Sequence, residues 1–515
     1  MTAPTFTQYS TIAPWLDTPP AWVPAVDQQR IGSYQKYEEI YWSSEEGFEQ
    51  LLRGDNDNPI FMPTAKTIVN TVNRYTAPGF TWNVEATEST SADAVVIAEL
   101  AFEQLFTREQ FLSKFNSNKR NGLIRGDWLW HIIADDTKPL GRRIKIMAVD
   151  PAAYFPVFES DLVAGGDPEK IVKVHLAEPL MVGSTEVVSR MTYERIFDEA
   201  GNQTDIIRSH ALFKPDAWAG TQASPTSTIL APEPLPAGIP AIPVYHLKNT
   251  DPTAVFGSSE MRGLESVLLG VNQTVSDEDA ALALDGIGIY ATDGGAPRDQ
   301  NGNEIDWVFG PGRVLVHAGG LKRVNGTGSV TPFGDHYDRL VNAVKEAVGA
   351  SDVAVGKADA GTAESGIALL IQLGPILAHT AEKDQNIIDV HAQMFHDLCF
   401  WLTEYEELPL VMTGEGGELT PVVTVRPIVG DKIPINRKQI IDEVLVLRSS
   451  VPPLMSIATA HKILISAGVP LEENELALIQ AEAEVFVNNI NGEEDDLDED
   501  ARRAAEEEAE KEVVA

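Results

Sequence analysis

Apolar residues recur at helical spacing in six stretches of this chain, and β-like runs fill much of the space between them. The first helical stretch is Pro63–Tyr75, with Ile68, Val69 and Val72 on one face. A longer one runs from about Asp93 to Asn118, where Val96, Leu100, Leu105, Phe111, Leu112 and Phe115 repeat at the same period. Trp128–Ala134, Arg143–Val149, Ile171–Leu176, Met191–Phe197 and Ile206–Phe213 have the texture of strands, and Ala219–Ala241, rich in Pro, Ser, Thr and Gly, that of a long loop.

The texture changes after a strand at Pro243–Leu247. Gly257–Leu284 has 28 residues without proline, with Leu264, Val267, Leu268, Val271, Val275 and Leu282 at helical spacing. As one helix it spans roughly 40 Å at 1.5 Å per residue. Ser258 or Ser259 is the expected cap. Ile287–Thr331 is broken by Gly294-Gly295, Asn301-Gly302, Pro311-Gly312, Gly319-Gly320 and Asn325-Gly326, which predicts a compact β insert. A second amphipathic helix follows over Asp335–Ala350, capped by Asp335, with Leu340, Val341, Val344 and Val348 on one face. Ser351–Ala363 is small and glycine-bearing. A long helix is then predicted from Glu364 to Glu404, kinked at Gly374-Pro375, where a backbone N–H is missing. Strands at Val411 and Pro421–Pro427 precede a helical region, Asn436–Asn488, and an acidic run, Glu493–Glu512, expected to be disordered or a solvated helix.

Composition narrows what such a chain does. Its 515 residues exceed one ordinary core, and 43% hydrophobic with 23% charged residues is the balance of a soluble globular protein. The net charge of −38 argues against tight, sequence-reading DNA binding, because few cations are available to displace counterions from phosphate. Cys399 is the single cysteine, which rules out an intrachain disulfide framework and suits a reducing compartment. No apolar run is long enough for a bilayer and no signal pattern opens the chain. Residues 1–30 carry Pro4, Pro14, Pro19, Pro20 and Pro24 among Trp15 and Trp22, as an extended arm does, lying on a neighbour or on its own domain.

Catalytic signatures are near misses. Val355-Gly356-Lys357-Ala358 lacks the Ser or Thr after lysine, and Ser351 stands where a phosphate loop has its first glycine. His396 and Cys399 share a helix face, but His391 is out of phase, so helix packing is favoured over metal. Asp135-Asp136 fits a turn, and Asp277-Glu278-Asp279 a solvated or lumen-facing patch. No enzymatic activity, cofactor or metal is expected.

Several passages, in order, resemble the portal proteins of tailed bacteriophages, of the siphophage type. They are Thr64–Val72, Asn121–His131 with its Gly126-Asp127, and Arg143–Phe158 with Asp150-Pro151 and Tyr154–Val157. Pro243–Asn249, Phe256–Glu260 before the long helix, and Glu364–Leu369 complete the series. The resemblance spans roughly residues 35–490. It implies an α+β, mainly helical portal fold with an arm (1–34), a wing (35–256), a first stem helix (257–285), a β-rich clip (286–334) and a second stem helix (335–350). A tunnel loop (351–364), a kinked wing helix with strands (365–434), a helical crown (435–490) and an acidic tail (491–515) follow.

It also implies a ring, twelve copies in the virion, at one vertex of the capsid, assembled in the host cytoplasm. Double-stranded DNA would pass through it without sequence recognition during packaging and ejection. The partners implied are the terminase large subunit, a head–tail adaptor, and the major capsid and scaffolding proteins, with no membrane. Val353, Val355, Lys357 and Asp359 are then the tunnel-loop candidates, Gly374 and Pro375 the kink, and Arg298, Asp299 and Arg313 the clip contacts. Two other readings stay open on the residues alone: another phage structural protein, such as an adaptor or capsid subunit, and a multidomain intracellular hydrolase.

Overall fold

The computed structural model describes residues 23–43, 59–87, 92–162, 166–167, 169–199, 201, 203–219, 223–250, 254–287, 289–291, 301–304, 322–324, 331–356, 366–414, 417–432, 441, 444–448, 460 and 463–464. It divides into two units, Met1–Lys432 and Ile433–Ala515. The second holds the expected crown and tail, and its few described residues are helical.

The first unit is an α+β structure with three hydrophobic clusters. Its central strand, β2 (Asp127–Ala134), is buried from Asp127 through Ile132, because β3 (Ile144–Val149) and β9 (Val244–Lys248) flank it and helices cover the sheet. Trp128, Trp130, Phe111, Phe115, Phe395 and Phe400 pack there in the largest cluster. The helix predicted over 93–118 is two helices, α3 (Ala92–Arg108) and α4 (Phe111–Arg125). Gln110 breaks it with φ +51°, a left-handed turn that re-aims the apolar stripe. Leu105, Phe111 and Phe115 are buried accordingly, whereas Val96, Leu100 and Leu112 are exposed.

A five-stranded antiparallel sheet follows in the order β4 (Tyr154–Phe158), β5 (Ile171–Val182), β6 (Thr185–Phe197), β7 (Gln203–Phe213) and β8 (Ser227–Pro234). The last strand lies inside the stretch predicted as loop. It is an edge strand with two register shifts, which is where a sheet accepts Pro232 and Pro234. Tyr154, Val174, Leu176, Tyr193 and Ile206 turn one face to the main cluster. Phe155, Ala177, Val188 and Phe213 turn the other to Trp218, Val23, Ile31 and Tyr34.

Two further unpredicted elements belong to the core. Helix α1 (Gln28–Trp42) crosses the arm–wing boundary expected at residue 34, and its buried Ile31, Tyr34, Tyr37, Ile40 and Tyr41 pack on the chain's own core. Strand β1 (Thr81–Ala86) pairs antiparallel with β14 (Val423–Ile428), more than 300 residues away, a pairing no local pattern reveals. Helix α2 (Thr64–Tyr75) forms as predicted and buries Ile68, Val69 and Val72.

Gly126 is a tight backbone point. It ends α4 in a left-handed conformation, φ +107°, and a Cβ there would lie 2.7 Å from the Ser258 carbonyl carbon. Gly126→Ala combines backbone strain with a clash against main chain. It is expected to cost about 3 kcal/mol or more of stability, read as a lowered urea midpoint, whereas alanine at Gly334, open and inside a helix, should cost nothing and gain up to about 1 kcal/mol.

Candidate functional site

The elements expected to form a stem are two packed helices, α5 (Glu265–Ile287) and α6 (Thr331–Ala347). Early α5 faces late α6. Gly270 lies against Leu340, and Leu268 packs with Val344 and Val348, so the pair is antiparallel. Both begin elsewhere than predicted. At α5 the chain first makes a turn in which the Ser259 Oγ accepts from Met261 N, and Gly263 at φ +85° separates that turn from the helix. Helix α6 starts four residues before Asp335, which is therefore inside it and caps nothing.

Between the helices, Ile289–Ala291 (β10) and Lys322–Val324 (β11) pair antiparallel. They bring the two ends of the insert together. The clip candidates Arg298, Asp299 and Arg313 lie outside the described residues. Helix α5 carries Glu265, Asp277, Glu278, Asp279 and Asp285 and no basic residue.

The root of this pair is a buried polar network. Gly126 O accepts from Asn249 N at 2.7 Å where the two chain segments cross. Beside it the fully buried Asp127 carboxylate accepts from Tyr34 OH (2.5 Å), Gly257 N (2.7 Å) and His246 Nε2 (2.7 Å). Those donors come from α1, from β9 and from the lead into α5. Glu260 is the second anion. It is paired with Lys383 Nζ at 2.9 Å and bonded to His379, and it accepts from Asn249 Nδ2 at 3.1 Å. Lys383 and His379 hold its carboxyl down to about 2 against a burial that pushes the other way.

Further contacts clamp α5 itself. Tyr37 OH donates to Glu265 Oε1 at 2.7 Å, and the Ile60 and Met62 N–H groups donate to Ser276 and Asn272 at 2.9 Å each. Each buried charge is thus paired or multiply hydrogen-bonded, which is the condition for keeping it there.

Helix α7 (Gly366–Glu406), 41 residues long, supplies His379 and Lys383 and contains Pro375. Gly349, just past α6 at φ +67°, sits so close to Pro375 that a Cβ would lie 2.8 Å from its carbonyl carbon. The chain then turns through Ser351–Gly356, with Lys345 paired to Asp352 at 2.6 Å and Ala354 fully buried. Val353 and Val355 pack against the same cluster as Leu373 and Ile376. These two tunnel-loop candidates therefore anchor the loop's start, beside the kink candidate Pro375. Lys357 and Asp359 lie outside the described residues, and Gly374 borders open space.

The residues weighed for catalysis have other work. Trp130 Nε1 donates to His391 Nε2 at 3.0 Å, so the imidazole proton sits on Nδ1 and goes to Ile387 O at 2.7 Å. Burial pushes this histidine down to about 4 and the Cys399 thiol up to about 12, which leaves the one neutral and the other unreactive. His396 is half exposed and turned to Asp397. Asp135 closes a turn by accepting from Thr137 N and Oγ1. Among the described residues no group of His, Cys, Asp and Glu is placed to hold a metal ion, and no helix is long and apolar enough to cross a membrane.

Two measurements test the network. Glu260→Gln strands the buried Lys383 ammonium and should cost about 3 kcal/mol or more, part of which Lys383→Met should restore in the double variant. Acid should also destabilise the fold. Burial lowers His131 and His175 to about 3 and His391 to about 4, and lowers His210 as well, so below pH 6.5 the unfolded chain holds three protons the folded chain refuses and His210 adds in the same direction. Glu178 opposes this, because burial and Asp150 raise it to about 8 and its proton stays on in the fold. Three against one gives a stability that falls by roughly 3 kcal/mol per pH unit near pH 5.5, followed through urea midpoints. Towards pH 2–4 the loss continues as Glu260 and Asp127, both depressed by their partners, take protons.

No protein-family model matches the sequence, and no curated protein matches it. Among solved structures, the chain is similar to one in the neck of an empty gene transfer agent particle computed with C6 symmetry. That match has 12% identity and a TM-score of 0.42 over 88% of this chain and 96% of that one. A chain of the virion of the native gene transfer agent particle is similar at 12% identity and a TM-score of 0.43, over 86% of this chain and 95% of that one. A chain from the native particle's neck, computed with C12 symmetry, gives 12% and 0.38 over 78% and 89%.

Proposed function

We propose that this protein is a portal-type ring subunit of a phage-like particle. Its helical stem and tunnel loop line a channel for double-stranded DNA, and its insert meets the packaging motor and the adaptor. The observation that carries the reading is the pair α5–α6, antiparallel and rooted in the wing. It brackets an insert whose two ends pair as β10 and β11, and precedes a long proline-containing helix. Repeated around an axis, such a unit presents acidic α5 faces that hold phosphate weakly, so that a duplex slides. Binding is non-specific for the same reason, and nucleotide hydrolysis belongs to a separate motor.

The role predicts association by a heterologous, closing interface. Purified protein at micromolar concentration should form rings by negative-stain microscopy and by light scattering; monomers or dimers alone would sink the proposal. It predicts further that replacing residues 290–328 by a short Gly-Ser linker leaves ring formation intact and abolishes DNA packaging. Normal packaging by that variant would remove the insert from its docking role.

A further inference from the structure

The β1–β14 pair is a two-stranded sheet, and among the described residues β14 has no other strand beside it. Along β14, between it and α7, runs a cleft of about 740 Å3. Ile388, Ala392, Val423 and Val425 give it apolar walls. Apart from the hydroxyls of Thr420 and Thr424, its polar side chains are already engaged. Gln393 donates to Asp397 at 2.9 Å and His396 is turned to the same carboxylate. Asp389 accepts from Gln385 at 2.8 Å, and Arg426 pairs with Glu85 at 3.0 Å. A small molecule is oriented by a few convergent polar groups, and here those groups are spent. What the cleft offers is apolar surface beside a strand edge, the two requirements for adding an extended segment.

The chain itself has a segment of that chemistry. Residues 1–22 contain a single charge, Asp17, in a protein of net charge −38, so they approach an acidic surface with little repulsion. Thr5-Phe-Thr-Gln-Tyr-Ser-Thr-Ile12 is free of Pro, Gly and charge, is rich in β-branched and aromatic residues, and lies between Pro4 and Pro14. Where this segment joins the fold decides whose cleft it enters. Val23 is buried with Ile31, Phe155, Val188 and Trp218, on the face of the five-stranded sheet opposite the core that carries α7 and β14. Its own cleft is on the other side of that sheet. From Val23 back to Ile12 is eleven residues, at most about 40 Å of chain, a span that can cross to an adjoining copy.

We propose that residues 5–12 of one copy add as a strand to the free edge of β14 in a neighbouring copy, inside the cleft against α7. Pro427 has no N–H to offer, so the added ladder runs along residues 423–426. The proposal takes the existence of a neighbour from the ring reading and its own content from the cleft and the segment. Thr5, Thr7, Tyr9 and Thr11 are replaced by cysteine one at a time in full-length protein also carrying Thr424→Cys. Cys399 is buried and its thiol held high, so it stays silent. Under mild oxidation at least one pair should form disulfide-linked multiples of the 56.1 kDa chain, and the Thr424→Cys single variant should form none. Thiol loss without a change in mass would show the arm on its own subunit, and no cross-link at any position would empty the cleft of it; either result overturns the proposal. Microscopy of wild-type protein is scored alongside. Rings without cross-links leave the ring reading standing and remove this one, while cross-links without closed rings do the reverse.

Discussion

The contact on which the rest depends is the crossing of two backbones without side chains between them. Gly126 and Gly257 approach so closely that a Cβ on Gly257 would lie 2.1 Å from Gly126 O. That approach lets Asp127 reach Gly257 N, lets Asn249 N reach Gly126 O, and lets Glu260 N reach Leu123 O at 2.9 Å. The lead into α5 is thereby fastened to the end of α4 and to the central strand at once. Glu260 then extends the fastening to α7 through Lys383, buried at both ends. A buried ion pair adds little net stability over an apolar pair, yet breaking one half is expensive. Its value here is geometric, since it admits one arrangement of four chain segments.

A firm root matters because the α5–α6 pair has little core of its own. Beyond the clamp of Asn272 and Ser276, α5 carries Asp277, Glu278 and Asp279 and an exposed Leu282, and α6 buries only Val344. Such helices hold their direction from where they emerge. The same economy shows at β3, the edge strand of the central sheet. Arg108 caps Ile144 O, Lys114 caps Ile146 O at 2.7 Å, and the Glu406 carboxylate accepts from Arg143 N at 2.9 Å. Charged side chains close that edge to further pairing, whereas β14 has no such guard.

What was legible in the sequence follows the range of the interactions involved. Helices α5 and α6, the long helix through Pro375 and most strands are written in local periodicity, although α5 begins eight residues after its predicted start and β5 and β6 run six residues beyond theirs. Gln110 was invisible because a left-handed break needs no glycine when packing on both sides enforces it. Strand β8 was hidden by its prolines, which an edge tolerates. The pairing of β1 with β14 is non-local, and so is the network. Asp127 inside an apolar run and Lys383-Asp384 in mid-helix were the available hints, since charge in such places is kept only when paired. Val353 and Val355 looked free in sequence because the cluster receiving them comes from α2 and α7.

Pro375 gains a physical role from this arrangement. It denies the Ile371 carbonyl its helical partner, a cost a helix normally avoids. Gly349 lies against the backbone at this residue, and Ile376 beside it is fully buried with Ala350 and Ala354. The weakened turn therefore coincides with a place where the end of α6, the start of the loop and α7 all touch. Ile371, one turn earlier, is 72% exposed. The start of the loop is thus packed on the part of α7 that is one backbone hydrogen bond short. Two turns further on, Lys383 and Asp384 are pinned to Glu260, Ala77 N and Lys432, so a bend there has a fixed end to act against.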